Sequence, residues 1–163
     1  MLRRTRFVIV LAAFSAAVGA TVFAQGRGVM LVPKDVKWPP PAAGSVGTSG
    51  AAGIQTVVVK GDPAKPGLYT LLLRVGPNQK IAAHMHGDDR VATVISGTWY
   101  LGYGRQFSEQ GLRVLPAGSV YTEPPNVHHF AMTKDEGATV QITGMGPSST
   151  SYANPEDDPA RKR

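Results

Sequence analysis

The sequence predicts an all-β, antiparallel sandwich or barrel, and three observations lead there. Short runs rich in β-branched and aromatic residues recur along most of the chain. Clusters of Gly, Pro, Asn and Asp separate them. No stretch of ten or more residues in this part carries the 3.6-residue apolar period of a helix. The 163 residues amount to about one domain.

Residues 1–24 read as a secretory signal. Arg3, Arg4 and Arg6 precede an apolar run from Phe7 to Phe23, and Val22-Phe23-Ala24 offers a cleavage site. This predicts a periplasmic or secreted chain whose mature form begins near Gln25, with no stable membrane insertion once the signal is removed. An uncleaved anchor is the rival reading, because the run is close to the roughly 17 residues needed to span a bilayer. Residues 25–53, centred on "WPPPAAGSVGTSGAAG", have no apolar period, and so read as a linker or a surface-hugging arm with Trp38 as its anchor.

Residues 54–150 form the predicted barrel. Its strands are expected at Ile54 to Val59, Tyr69 to Val75, Val91 to Ile95, Thr98 to Tyr103, Gly118 to Thr122, His129 to Thr133 and Thr139 to Thr143. The breaks between them include "KGDPAKPG", "GPNQ", "SG", "LPAG", "EPPN" and "KDEG". Residues 151–163 read as a solvated tail, with Tyr152 packed against the barrel.

The formal charge of +6 excludes less than it first suggests. All eleven acidic residues lie between positions 25 and 160, matched there by eleven of the 17 Lys and Arg. The excess sits in the leader and in Arg161-Lys162-Arg163, so the charge is no nucleic-acid footprint and no nucleic-acid partner is expected. The absence of cysteine removes disulfides, thiolate nucleophiles and Cys-type zinc sites. Any metal must be held by N and O ligands. Ser96, Ser108, Ser119, Ser148, Ser149 and Ser151 lack a nucleophile-elbow context, and "GTWYLGYG" does not open a helix as a phosphate loop would.

All four histidines fall in two places, "HMHGDDR" and "EPPNVHHF". On an extended strand His84 and His86 point to the same side, about 6–7 Å apart. His128 and His129, being adjacent, point to opposite sides, so only one of them can join the first pair on a shared ion.

These segments resemble the two motifs of the cupin superfamily. "HMHGDDRVATVISG" is similar to H-x-H-x(3)-E-x(6)-G, with His84, His86 and Gly97 in register. "LPAGSVYTEPPNVHHF" is similar to the second motif, in which a P-x-G turn leads into a strand and a Pro-rich turn ends in histidine before an aromatic. The resemblance runs from about Gly61 into the C-terminal tail, and is to small exported single-domain cupins. It implies a double-stranded β-helix, or jelly-roll, barrel carrying an irregular N-terminal arm. It further implies His84, His86 and His129 as metal ligands, with His129 preferred because it directly precedes Phe130, and Gly97 and Gly118 as turn glycines. The implied cofactor is a divalent metal ion: Fe, Zn, Mn, Cu or Ni.

One departure stands out: Arg90 occupies the place of the motif's glutamate. A guanidinium cannot ligate a cation. Three arrangements therefore remain open. Three histidines hold the metal alone, or Asp89 or Asp88 supplies a fourth ligand, or the site is metal-free and Arg90 grips an anion. Arg90, His128, Tyr121, Glu123 and Gln141 are the further residues expected to touch the ligand or support the site; no catalytic residue is assigned.

The functional expectation is a metal centre acting on a small oxygen-containing molecule, as an oxidoreductase of dioxygenase type, an isomerase or a lyase. The alternative is a non-catalytic barrel that binds or senses an anionic small molecule. Homodimerisation through the sheets is the expected assembly.

Overall fold

A computed structural model describes residues 28–162. The predicted leader, residues 1–24, lies outside the described residues. Nine strands follow in chain order: β1 Ile54–Lys60, β2 Gly67–Val75, β3 Lys80–His86, β4 Arg90–Tyr103, β5 Arg113–Pro116, β6 Val120–Glu123, β7 His129–Met132, β8 Ala138–Gly146 and β9 Thr150–Tyr152. The only helical pieces among the described residues are short 3-10 turns. No helix among them is long and apolar enough to cross a membrane.

Every strand pairing is antiparallel, in the order β1-β2-β8-β4-β7-β3-β9, with β5 and β6 also paired to β4. The core lies between the inner faces of the curled sheet. On β2 the alternation is plain: Tyr69, Leu71, Leu73 and Val75 are buried, while the residues between them face outward. Val140 and Ile142 of β8, Ala92 and Val94 of β4, and Trp99 and Leu101 further along β4 complete the packing.

Two expected strands prove to be one. Val91 to Ile95 and Thr98 to Tyr103 are both part of β4, which pairs with β6 and β8 through its first half and with β5 and β7 through its second. Gly97 is therefore no turn glycine; it bends a strand from one half of the barrel into the other. Its φ of +71° follows a register shift between Val94 and Ser96, and a Cβ there would run into the Gly137 carbonyl oxygen. Gly118, with φ of +88°, does sit in the turn before β6. Strands β3, β5 and β9 add to the expected set, although an extended strand is already assumed at His84 and His86. Strand β9 pairs with β3, so the sheet continues two residues past position 150 into the segment read as tail.

The arm divides into two parts. Its first part follows the surface: the Trp38 ring covers the Arg74 guanidinium at 4.1 Å, and Gln55 Nε2 donates to the Pro39 carbonyl at 2.6 Å. Residues 44–50 do not hug the surface. They turn into the barrel mouth and bury Thr48 and Ser49.

Candidate metal centre

Two strands bring the histidines together. His84 of β3 pairs directly with His129 of β7, and His86 follows on the same face of β3. A register irregularity between Ile81 and His84 lets both of those side chains point inward despite their odd spacing. The three rings lie with centroids 4.4–5.3 Å apart. One ring nitrogen from each falls within 4.8 Å of the others, and all three side chains are buried. His128 points away from this group, half-buried on the outside with Nε2 3.5 Å from Arg105 Nη1.

The hydrogen bonds fix which nitrogens face the centre. His84 Nδ1 donates to the Ala82 carbonyl at 2.8 Å, His86 Nδ1 to the Ser149 carbonyl at 3.1 Å, and His129 Nδ1 to the Val127 carbonyl at 3.2 Å. A carbonyl only accepts, so each Nδ1 carries a proton, and in a neutral ring each Nε2 then turns its lone pair inward. His129 Nε2 is buried without a hydrogen-bond partner.

Burial keeps two of these rings neutral. It pushes the His84 pKa down to about 3, with His129 as the next cause, and lowers that of His86 too, with Arg90 next. The folded values lie below the ordinary 6.5, so the unfolded chain takes up protons first as pH falls. Stability of the metal-free protein is therefore complete above about pH 6.5 and is lost progressively toward pH 3. Each of the two histidines is expected to cost about 2 kcal/mol by pH 5. Urea denaturation of metal-free protein at pH 7 and pH 5 measures this, and equal midpoints would contradict the burial of neutral rings.

Arg90 does not aim at a ligand. Its Nε and Nη2 grip the two Asp88 oxygens at 3.2 and 3.3 Å, Nη2 also donates to Ser148 Oγ at 2.6 Å, and Nη1 donates to the Gly47 carbonyl at 3.1 Å and to Glu123 Oε2 at 3.4 Å. Those five bonds engage every donor nitrogen of a fully buried guanidinium. Neither aspartate joins the histidines: Asp88 is taken by Arg90 and by the Tyr69 hydroxyl at 2.6 Å, and Asp89 is exposed at the bend. Gln141 does not line the cavity. Its neighbours Val140 and Ile142 point inward, so strand alternation turns Gln141 outward.

Glu123 stands beside two of the three histidines. It pairs across the sheet with Arg90, so the acidic and basic side chains stand on neighbouring strands, opposite to the arrangement the motif implies. Its two oxygens lie 3.8 Å from His86 Nε2 and 3.6 Å from His129 Nε2. From the sequence Glu123 was expected only as a supporting residue, because the register of β6 on β4 carries no sequence signal. Tyr121, on the same strand and face, lines the cavity with it. Burial raises its hydroxyl well above the usual range.

No protein-family model and no curated protein matches the sequence. Solved structures do match the fold. DMSP lyase DddQ from Ruegeria pomeroyi DSS-3 aligns at a TM-score of 0.54 and 15% identity over 63% of this chain and 53% of its own. A structure of the DMSP lyases RdDddP and RnDddQII aligns at 0.53 and 16% over 62% and 53%. KdgF from Halomonas sp. aligns at 0.52 and 18% over 72% and 94%. The chain thus spans about half the length of the DMSP lyase structures it matches. The nine antiparallel strands of the described residues curl into a jelly roll, and these likenesses show that the chain shares the barrel fold of those structures.

Proposed function

We propose that this barrel binds one divalent metal ion through His84, His86, His129 and Glu123, and acts there on a small oxygen-containing molecule. The observation that carries the proposal is the meeting of three buried histidines, with a buried carboxylate reaching two of them. Inward lone pairs of imidazole and two carboxylate oxygens face each other at 3.6 and 3.8 Å, too long for hydrogen bonds. A tetrahedral centre with bonds of about 2.0–2.1 Å would place its ligand atoms about 3.3–3.4 Å apart; the three imidazole nitrogens, within 4.8 Å of one another, and one Glu123 oxygen would draw together on such an ion. Charge supports the same reading. Arg90 neutralises one of the two buried carboxylates Asp88 and Glu123, and a dication would compensate the other.

Three nitrogens and one oxygen suit zinc, iron, manganese, copper or nickel alike. When bound, the ion would supply Lewis-acid polarisation of a coordinated oxygen. The chain's own contribution is orientation and a dry surround. Backbone carbonyls hold the three rings by their Nδ1 protons, Leu73, Ile81 and Ile142 wall the cavity, and the Tyr121 hydroxyl stays protonated and can donate to a ligand oxygen. With every Arg90 donor engaged, one of them on the Gly47 carbonyl of the arm, Arg90 is not free to grip an anion in this arrangement. The leader reading makes this an exported protein; secreted material beginning near Gln25 supports it, and an intact Met1 would refute it.

Elemental analysis of protein purified without a histidine tag tests the centre. Near-stoichiometric divalent metal is expected, falling to background in His84→Ala. A site that stays empty after reconstitution with each of the five metals would refute the proposal.

A further inference from the structure

We infer that residues 44–50 form a strap that closes the mouth of the histidine cavity, and that the ligand displacing it carries several acceptor oxygens. Thr48 and Ser49, only 3% and 7% exposed, form the partition between two spaces. Beneath them is the cavity at the histidines, of about 30 Å³; above them is an outer hollow of about 220 Å³ between the strap, Ser148–Thr150 and the C-terminal turn. The inner space has room for a water or two. No organic molecule reaches the imidazoles while the strap is seated.

The attachment is largely polar. Three consecutive carbonyls of the strap are held by barrel side chains: Gly47 O by Arg90 Nη1 at 3.1 Å, Thr48 O by the Thr150 hydroxyl at 2.8 Å, and Ser49 O by the Tyr152 hydroxyl at 2.6 Å. No large apolar side chain anchors it, Val46 being 51% exposed. Bonds of this kind exchange readily for bonds to water, so the seat opens far more easily than the barrel unfolds.

The strap also keeps its own shape when it leaves. Gly44 N donates to Gly50 O at 2.9 Å, Thr48 Oγ1 to Ser45 O at 2.7 Å, and Gly50 N to Thr48 Oγ1 at 2.9 Å, which ties the loop's ends together. Its fit depends on Gly47. That residue has φ of +82°, and a Cβ there would come within 2.9 Å of Leu71 Cδ2 and Pro63 Cβ.

Lifting the strap joins the two spaces and frees the donors of Arg90, Thr150 and Tyr152 at their rim. What replaces the three carbonyls must offer acceptors in their place, as a small hydroxylated or carboxylated molecule does. The Thr150 hydroxyl also lies 3.1 Å from His86 Nδ1, so the rim that holds the strap is continuous with the centre. The inference depends on the proposed metal centre only for what the ligand meets underneath, and closure can be read in metal-free protein.

Diethyl pyrocarbonate labels unprotonated imidazole, and peptide mass spectrometry of the metal-free full chain gives a rate for each histidine. His128, on the outside, is the internal reference. In the wild-type chain His84, His86 and His129 are expected to lag far behind it. Gly47→Ala, whose Cβ would crowd Leu71 and Pro63 from a left-handed backbone, and Tyr152→Phe, which removes one latch, should each speed labelling of the three relative to His128, by about tenfold or more in Gly47→Ala. Site histidines that keep pace with His128 in the wild-type chain, or a ratio unchanged in both variants, would overturn the strap. Because no metal is used, such a result leaves the metal proposal standing, and a failure of metal binding leaves this one standing. With the strap established, malate or a similar hydroxy acid should slow labelling in Gly47→Ala; no protection by any hydroxylated or carboxylated probe overturns the assignment of ligand class.

Discussion

Replacing Glu123 with glutamine is expected to weaken divalent-metal binding by about 10²-fold or more, and at the same time to stabilise the metal-free protein. The two effects have opposite signs because the site is built from acceptors. In the metal-free chain Glu123 faces the lone pairs of His86 and His129 across 3.8 and 3.6 Å, with a single long contact to Arg90 at 3.4 Å as compensation. A glutamine amide is nearly the same shape but brings N–H groups, so it can donate to the unpartnered His129 Nε2. Satisfying that buried atom and removing the surplus negative charge should raise stability by about 1–2 kcal/mol. With metal present, the loss of an anionic ligand dominates, since even outer-shell partners are commonly worth about 10–100-fold in affinity. Metal titration by calorimetry and thermal melts of metal-free protein read the two effects separately. If Glu123 were only a structural partner of Arg90, the substitution would lower the melting temperature and leave affinity unchanged.

The contrast between Glu123 and the histidines shows what the sequence could reveal. His84 and His86 are two apart on one strand, so their common face follows from the geometry of an extended chain, and the adjacency of His128 and His129 allows only one of them inward. The inward set on β2, Tyr69 to Val75, is equally local. What was not legible depends on pairing between distant segments. The sequence marks Arg90 as an oddity where the motif has glutamate. Only the register Arg90↔Glu123 shows that the carboxylate has moved to the next strand. Gly97 looks like any turn glycine until β4 is seen to pair on both sides of it with different strands. The strap was hidden for a related reason. Its seat is made by polar side chains of β4 and β9 gripping its backbone carbonyls, an interaction that leaves no apolar period to detect.

Replacing Arg90 with methionine should be among the most destabilising single changes in the barrel. Methionine matches the length of the side-chain stem, so packing changes little while the charge and five hydrogen bonds vanish. Asp88 keeps only the Tyr69 hydroxyl, and Glu123 keeps no cation at all. Two carboxylates are then buried without compensation. Breaking a buried ion pair from one side costs about 3–5 kcal/mol. For a domain of this size that corresponds to a fall of roughly 10–20 °C in melting temperature. Arg90→Lys should recover only part of the loss, because one ammonium cannot span Asp88, Glu123, Gly47 and Ser148 together. The cause can be isolated by combining the variants. If uncompensated charge is the main cost, adding Glu123→Gln to Arg90→Met removes one of the two stranded carboxylates, and the double variant should be more stable than Arg90→Met alone by more than Glu123→Gln gains in the wild-type background, with a coupling of about 1–3 kcal/mol. Strictly additive melting shifts would instead assign the loss at position 90 to its bonds with Asp88, Ser148 and the strap, and would leave the pairing of Arg90 with Glu123 energetically silent.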